Sequence, residues 1–177
     1  YETIGKVKPR GICGSGLIDL IYELARNRIL EIDAKFSASL QDRRIVQGEN
    51  GLEYIVAFSE ETETGEPLTI AQTDIDNIMR SKAAIFAAIK SLIDYAGLTF
   101  NQLEKIYVAG GFGNYLSIEK AVGIGLLPDI PRERIEFVGN SSLMGARMAL
   151  LSFHGFEKTI GISQSITNIE LSKFALF

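Results

Sequence analysis

The sequence predicts an α/β fold in which a three-stranded antiparallel meander precedes two strand–helix crossover units. Three short segments rich in β-branched and aromatic residues come first, and a long segment with apolar residues at helical spacing follows them. Two buried-type strands then each run into a small-residue turn and a helix. With 177 residues, of which 46% are hydrophobic and 23% charged, the chain suits one globular domain with a single core.

An N-terminal helix is predicted to follow the glycine-rich segment Gly11–Gly16, because the apolar residues between Leu17 and Ala25 fall on one helical face. Ser15 is the candidate N-cap of this helix. The helix is expected to stop near Arg28, since basic side chains in a last turn oppose the partial negative charge of a helix end.

Three strands are expected at Arg44–Gln47, Glu53–Phe58 and Leu68–Ala71, and two of them are joined by a tight hairpin. Thr73 is expected to cap the long helix that follows, because acidic residues stand in the first turn after it. Gly97 is predicted to end that helix.

Two strand–turn–helix units come next. The first runs from a strand at Lys105–Ala109 through Gly110–Asn114 to a helix capped by Ser117. The second runs from a strand at Arg134–Val138 through Gly139–Ser142 into a further helix.

The tail is predicted to contain another helix and a short strand at Asn168–Leu171. From Arg44 onward the element order is therefore β-β-β-α-β-α-β-α, which is the ribonuclease H-like order. Because crossovers between parallel strands are right-handed, this order predicts a mixed five-stranded sheet with helices on its faces. The helix before Arg44 is an addition to that core.

Charge and cysteine content exclude several classes of protein. Eighteen basic and 22 acidic residues give a net charge of −4 without a long block of either sign, so nucleic acid is not an expected partner. No apolar run approaches the roughly 20 residues that a membrane span needs. Cys13 is the single cysteine, which excludes an internal disulfide and suits a cytoplasmic protein. The first ten residues fit either excision from a longer protein or processing, and we favour excision.

The turn made of Gly110, Gly111, Phe112, Gly113 and Asn114 is a candidate nucleotide site. It lies past the carboxyl end of a strand, which is where ligands bind in open α/β sheets. Glycines also let a sugar or a phosphate approach bare backbone N–H groups. The alternative is a tight strand-to-helix turn that requires a positive φ.

Two further turns are candidate ligand sites. Gly139, Asn140 and Ser141 repeat the arrangement at a neighbouring strand end, so both turns would line one crevice, although helix capping by Asn140 or Ser141 explains this turn without a ligand. Gly14 and Ser15 begin the N-terminal helix with no clear strand before them, and either a ligand-facing turn or close helix packing accounts for them.

Catalytic residues are not identifiable from the sequence, and no metal site is predicted. His154 is the only histidine and lacks partners in a recognisable triad pattern. The acidic run of Glu60, Glu61 and Glu63 suits a solvated loop better than a metal site. Cys13 suits a small buried hydrophobic residue better than a reactive thiol.

Val108–Gly111 consists of an apolar residue, any residue and two glycines at a strand end. It resembles the adenosine motif of the superfamily of acetate and sugar kinases, heat-shock chaperones and actin, whose ATPase domains are two ribonuclease H-like halves around a nucleotide cleft. The resemblance implies that this chain is the second half of an actin-like ATPase domain. The missing half would then complete the site for ATP with magnesium and would hold the catalytic residues.

Pro9–Asp19, Val108–Leu116, Gly125–Pro128 and Val138–Asn140 more narrowly resemble the C-terminal region of corrinoid activation proteins, over nearly the whole chain. Members of that family couple ATP hydrolysis to the reduction of cob(II)amide in a corrinoid protein to cob(I)amide. The resemblance implies a parent with a ferredoxin-like domain that carries a 2Fe-2S cluster outside this chain. The implied partner is a corrinoid iron–sulfur protein or the corrinoid subunit of a methyltransferase, so the implied chemistry is electron transfer in support of methyl transfer.

This resemblance also implies an internal organisation. Residues 1–43 would form an N-terminal loop and helix, residues 44–152 the ribonuclease H-like core, and residues 153–177 a C-terminal helix and tail. The fragment would be inactive alone and would form a homodimer through apolar surface meant for the missing half. The alternatives are a fragment of another ATPase or kinase of the superfamily, such as a sugar kinase or a dehydratase activator, and a non-catalytic interaction domain of the same fold.

Overall fold

A computed structural model describes residues 1–37, 42–49, 51–111 and 115–170. Its main elements are α1 (Gly14–Arg26), β1 (Ile45–Gly48), β2 (Gly51–Ala57), β3 (Leu68–Ala71), α2 (Gln72–Tyr95), β4 (Ile106–Ala109), α3 (Ile118–Gly123), β5 (Ile135–Gly139), α4 (Ser141–Leu151) and α5 (Phe153–Ser165). This succession confirms the predicted order of strands and helices. Each predicted strand of the core lies within two residues of its observed bounds at either end.

The strands pair into two hydrogen-bonded sheets. β1, β2 and β3 form an antiparallel sheet in that order, and β4 pairs with β5 in parallel. The α/β class and the strand order are therefore as predicted, but the expectation of one continuous five-stranded sheet is corrected. Over the described ranges no ladder of hydrogen bonds joins the two sheets. The four-residue strand β1 pairs with β2 along one edge, the four-residue strand β4 pairs with β5 along one edge, and the other edges of β1 and β4 are not joined to each other.

Two apolar clusters hold these elements together. The first joins α1, α2 and β3 and contains Ile21, Leu24, Leu30, Ala34, Phe36, Ile70 and Ile75. The second lies around α3 and β5 and contains Ala121, Val122, Leu127, Ile130 and Ile135. Full burial of one such large aliphatic side chain contributes about 1.5–3 kcal/mol, so these clusters fix the helices on the strands.

The start of α1 differs from the prediction. Cys13 occupies the N-cap position in an extended conformation, and its side chain makes no capping hydrogen bond. Ser15 lies inside the first turn and is buried, so its assignment as N-cap is wrong. The helix ends at Arg26, slightly before the predicted end, because the chain turns into the left-handed region at Arg28, which has a φ of 58°.

The long helix α2 also begins earlier than predicted. β3 runs directly into it, so Ala71 precedes the first turn and Thr73 lies within that turn instead of capping it. Asp74 supplies the cap, because its carboxylate accepts a hydrogen bond from the backbone N–H of Ala71 at 3.1 Å. Gly97 ends the helix as predicted, with a φ of 68° and an N–H that donates to the carbonyl of Asp94.

The C-terminal helices α4 and α5 contact each other, and none of their residues is buried. Their large exposed apolar side chains are Leu143, Met144, Met148, Leu150, Leu151, Phe153, Phe156, Ile160 and Ile162. The strand expected at Asn168–Leu171 is corrected. Residues 168–170 form no strand because no neighbouring strand is placed to pair with them, and Leu171 lies outside the described residues. Among the helices that the structure describes, none combines the length and the apolar character needed to cross a membrane.

Candidate functional site

The structure joins two of the three predicted turns. The backbone N–H of Gly110 donates a hydrogen bond to the carbonyl of Gly139 at 2.8 Å. Gly110 directly follows β4 and Gly139 is the last residue of β5, so both glycines lie at the carboxyl ends of neighbouring parallel strands. The φ angles of 115° at Gly110 and 65° at Gly139 lie in the region that favours glycine, so these two residues are also required by the turn itself.

The space beside this joined turn is open. A Cβ atom added at Gly110, Gly111 or Gly139 would have no heavy atom within 4 Å beyond its chain neighbours. The glycines are therefore not explained by crowding from the rest of the described chain, and a ligand can approach the backbone at all three positions. This geometry fits the adenosine part of a nucleotide, which needs close backbone approach at a strand end. The predicted ligand residues Phe112, Gly113 and Asn114 lie outside the described residues.

Asn140 and Ser141 stand where the second turn enters α4. The Oδ1 atom of Asn140 accepts a hydrogen bond from the backbone N–H of Leu143 at 3.0 Å, so Asn140 is the N-cap of the helix. Ser141 is the first residue of α4 and is exposed. Helix capping thus accounts for the Asn140 oxygen without a ligand, and the open backbone of Gly139 is the ligand-accessible part of this turn.

The helix that comes after the first glycine turn in the chain, α3, begins at a capping serine. Ser117 is the N-cap, as predicted, and its hydroxyl oxygen accepts a hydrogen bond from the backbone N–H of Lys120 at 3.4 Å. The ammonium of Lys120 in turn bridges Asp19 and Glu23 on α1. Lys120 was missed by sequence reasoning, since no local pattern connects a residue of α3 with carboxylates of α1.

Gly14 and Ser15 lie at the start of α1. Gly14 is the first residue of α1, and Ser15 is only 8% exposed. A Cβ atom added at Gly16 would lie 3.3 Å from Cγ2 of Ile12 and 3.4 Å from Sγ of Cys13. Both atoms belong to the same glycine-rich segment, so local crowding explains the glycine at position 16.

Cys13 is exposed, which corrects the expectation that it is a buried hydrophobic residue. Its Sγ atom lies 3.4 Å from the hydroxyl oxygen of Ser15. The hydrogen bond with Ser15, followed by that with the backbone N–H of Gly16, lowers the pKa of the Cys13 thiol below its ordinary value. The thiolate is therefore favoured relative to an unperturbed cysteine.

A cavity of about 860 Å³ lies beside Cys13. The N-terminal segment forms one wall, and Arg44, Tyr54 and Lys120 contribute to the others. Because these residues come from distant parts of the chain, the sequence offered no signal for the cavity. Its cations already have partners, since Arg44 donates to the carbonyl of Ile55 and Lys120 binds the two carboxylates of α1.

The residues set aside in the sequence lie away from these turns. His154 belongs to α5 and is exposed. Glu60, Glu61 and Glu63 form an exposed loop, as predicted, in which the Glu61 carboxylate accepts a hydrogen bond from the backbone N–H of Phe58. In the part of the chain that the structure describes, no three His, Cys, Asp or Glu side chains gather in a way that could hold a metal ion.

The whole chain, residues 1–177, matches a family described as the C-terminal domain of RACo, the ASKHA domain. The chain belongs to this RACo C-terminal family. A solved structure described as "Reductive activator for corrinoid,iron-sulfur protein" resembles it with a TM-score of 0.93 and 41% sequence identity, over 99% of this chain and 28% of the other. The fold assignment therefore rests on sequence and structure together.

Two curated relatives carry related descriptions. "Corrinoid activation enzyme RamQ" of Eubacterium limosum is 32% identical over 179 residues, which cover 97% of this chain and 30% of the relative. "[Co(II) methylated amine-specific corrinoid protein] reductase" of Methanosarcina barkeri is 31% identical over 103 residues, which cover 58% of this chain and 19% of the relative. The RACo-type chain thus spans less than a third of the length of either relative.

Proposed function

We propose that this RACo-type domain is the C-terminal part of an ATP-dependent reductive activator that returns cob(II)amide in a corrinoid protein to cob(I)amide. Within that protein the domain supplies the adenosine side of the nucleotide cleft and part of the surface that docks the corrinoid protein. The observation that carries the nucleotide role is the pair of hydrogen-bonded glycine turns, with open space over Gly110, Gly111 and Gly139. The descriptions of the relatives support the corrinoid role.

Gly110 and Gly111 are the residues on which nucleotide binding depends in this proposal. Their missing side chains let the base or ribose rest against the backbone, and the Gly110–Gly139 hydrogen bond keeps the two strand ends at one separation. ATP would supply the free energy of hydrolysis when bound. Magnesium and the catalytic residues belong to parts of the longer protein outside this chain.

The 2Fe-2S cluster of the proposed parent does not fit this domain. Cys13 is the single cysteine of the chain, whereas such clusters are held by several cysteine ligands. Electron transfer is therefore assigned to another domain of the parent. The role of this domain is coupling, in which nucleotide binding favours one of two states of the complex through contacts that differ between them.

The partner would be a corrinoid iron–sulfur protein or the corrinoid subunit of a methyltransferase, in the cytoplasm. The division into residues 1–43, 44–152 and 153–177 belongs to the same proposal. The apolar side chains on α4 and α5 support burial of that face by another polypeptide surface, and a homodimer is the proposed assembly of the isolated chain.

The test uses the full-length protein, with and without a candidate corrinoid protein, under a low-potential reductant. ATP hydrolysis and the optical appearance of cob(I)amide are followed together. Gly111→Val places a side chain in the open space without backbone strain, and we expect loss of both activities with an unchanged melting temperature. Gly11→Val is the matched control, because Gly11 also has open space around it but precedes α1.

Partner-stimulated hydrolysis with cobalt reduction in the wild type, lost only in Gly111→Val, supports the proposal. Hydrolysis that responds to no corrinoid protein would overturn the corrinoid role. Equal nucleotide affinity in the wild type and Gly111→Val would overturn the assignment of the adenosine site.

A further inference from the structure

Lys120 connects α3 to α1 through two carboxylates. Its Nζ atom lies 3.2 Å from Oδ2 of Asp19 and 3.3 Å from Oε1 of Glu23. The two carboxylates are four residues apart on α1 and therefore share one helical face. The Lys120 side chain is 26% exposed, so this contact is screened by solvent less than an ion pair on the open surface.

The carboxylates of Asp19 and Glu23 keep Lys120 in its charged form. Burial by itself lowers the pKa of Lys120, but the hydrogen bonds to Asp19 and Glu23 and their negative charges raise it above the ordinary lysine value. Lys120 therefore remains an ammonium. The Oδ1 atom of Asp19 is buried and has no hydrogen-bond partner in the described residues, so Lys120 is the group that holds this carboxylate against α3.

Removal of the ammonium would leave two like charges facing α3. Carboxylates four residues apart on a helix repel each other, and Asp19 would also keep a buried oxygen without compensation. Relief requires that Asp19 move toward solvent or that α3 move away from α1. Either change leaves α3 without its ionic connection to α1, so the first turn of α3 is free to shift.

α3 packs against the strand that leads into the glycine turn, because Val108 of β4 contacts the apolar cluster that contains Ala121 and Val122. The backbone N–H of Lys120 donates to the Ser117 hydroxyl that caps the helix, so one residue carries both the cap and the connection to α1. At the start of the glycine turn, Gly110 donates a hydrogen bond to the carbonyl of Gly139. The strand end before the turn thus contacts both β5 and α3, and Lys120 ties α3 to α1.

We propose that Lys120 is a positioning residue for the nucleotide site, which sets the Gly110–Gly111 turn in its binding geometry by anchoring α3 to Asp19 and Glu23. The inference rests on the proposed nucleotide role of that turn. Loss of the ammonium lets the start of α3 shift while the apolar cluster around Ala121 and Val122 keeps the fold. Nucleotide affinity falls because the backbone groups of the turn no longer lie in the positions that contact the ligand.

The experiment measures the dissociation constant of a non-hydrolysable ATP analogue and the melting temperature in the full-length protein. Lys120→Met keeps the aliphatic stem and removes the charge, and we expect roughly tenfold weaker binding. Lys120→Arg keeps a cation that can reach both carboxylates, and it should restore affinity to within about twofold of the wild type.

Lys105→Met is the matched control. Lys105 also pairs with a carboxylate, that of Glu136 at 2.6 Å, but the pair lies near the beginnings of β4 and β5, away from the turn. The control should leave affinity unchanged. If Lys120→Met does not fold, the double variant Asp19→Asn with Glu23→Gln removes the same contact from the α1 side. It leaves only the partly exposed Lys120 ammonium without its partners, and it should weaken binding to a similar extent.

The inference is overturned if the wild type binds the analogue, Gly111→Val abolishes binding, and Lys120→Met lowers only the melting temperature. In that outcome the nucleotide site stands and Lys120 is merely structural. If the wild type itself binds no nucleotide, the proposed function and this inference both fail.

Discussion

Substitution of Gly123 by alanine is predicted to strain the contact between α3 and α1. Gly123 is the last residue of α3, and a Cβ atom there would lie 2.3 Å from Cε2 and 2.7 Å from Cδ2 of Tyr22. Both distances are far below van der Waals contact. The half-buried ring of Tyr22 must therefore rotate, or α3 must move away from α1.

The expected loss of stability follows from two opposing terms. Extra atoms forced into a packed contact cost about 1–3 kcal/mol. Alanine returns about 0.5–1 kcal/mol because glycine loses more backbone freedom on folding. With mid-range values of about 2 and about 0.75 kcal/mol for the two terms, we expect Gly123→Ala to lower the free energy of unfolding by about 1 kcal/mol, which corresponds to roughly 2–4 °C in melting temperature for a chain of this size.

The assay is chemical denaturation of the wild type and Gly123→Ala, each also in a Tyr22→Leu background, which removes the ring atoms that the new methyl group meets. The two substitutions should be coupled by about 1 kcal/mol or more. Gly145→Ala is the control, since a Cβ atom at Gly145 in α4 meets nothing within 4 Å and the variant should be slightly more stable. Equal losses in both backgrounds, or no loss at all, would refute the packing argument.

Three further predictions concern single side chains. Ser91→Ala should leave the denaturation midpoint unchanged or raise stability by up to about 1 kcal/mol, because Ser91 is 1% exposed and its hydroxyl has no partner in the described residues. The ammonium of Lys35 lies 2.8 Å from the carboxylate of Asp76 and holds the pKa of Asp76 below its ordinary 3.8. Thermal melts should therefore show that Asp76→Asn is less stable than the wild type at neutral pH. This difference should vanish as the pH falls below 3.8, where the carboxylate of the wild type becomes protonated. Ser15→Ala should raise the pKa of the Cys13 thiol and slow its alkylation by iodoacetamide at neutral pH, and an unchanged rate would contradict the role of the Ser15 hydroxyl.

Strands and helix ends were predictable where one local signal decided them. Leu68–Ala71 has the predicted bounds, Gly97 ends α2 in the left-handed conformation, and Ser117 caps α3. Ser15 and Thr73 failed as caps because each helix starts slightly earlier than its capping residue suggested. A capping residue type near a helix start restricts that start to a few positions, and the packing of the preceding segment chooses among them.

By itself, the sequence determined the element order and the glycine turns at the strand ends, because periodicity, turn chemistry and missing side chains act over a few neighbouring residues. Only the tertiary structure decided which turns meet. Gly110 and Gly139 are joined by the parallel pairing of β4 and β5, whereas Gly14 and Ser15 lie at a separate helix start. The bridge from Lys120 to α1 likewise depends on how two distant helices pack, and such a contact leaves no periodic trace in either segment.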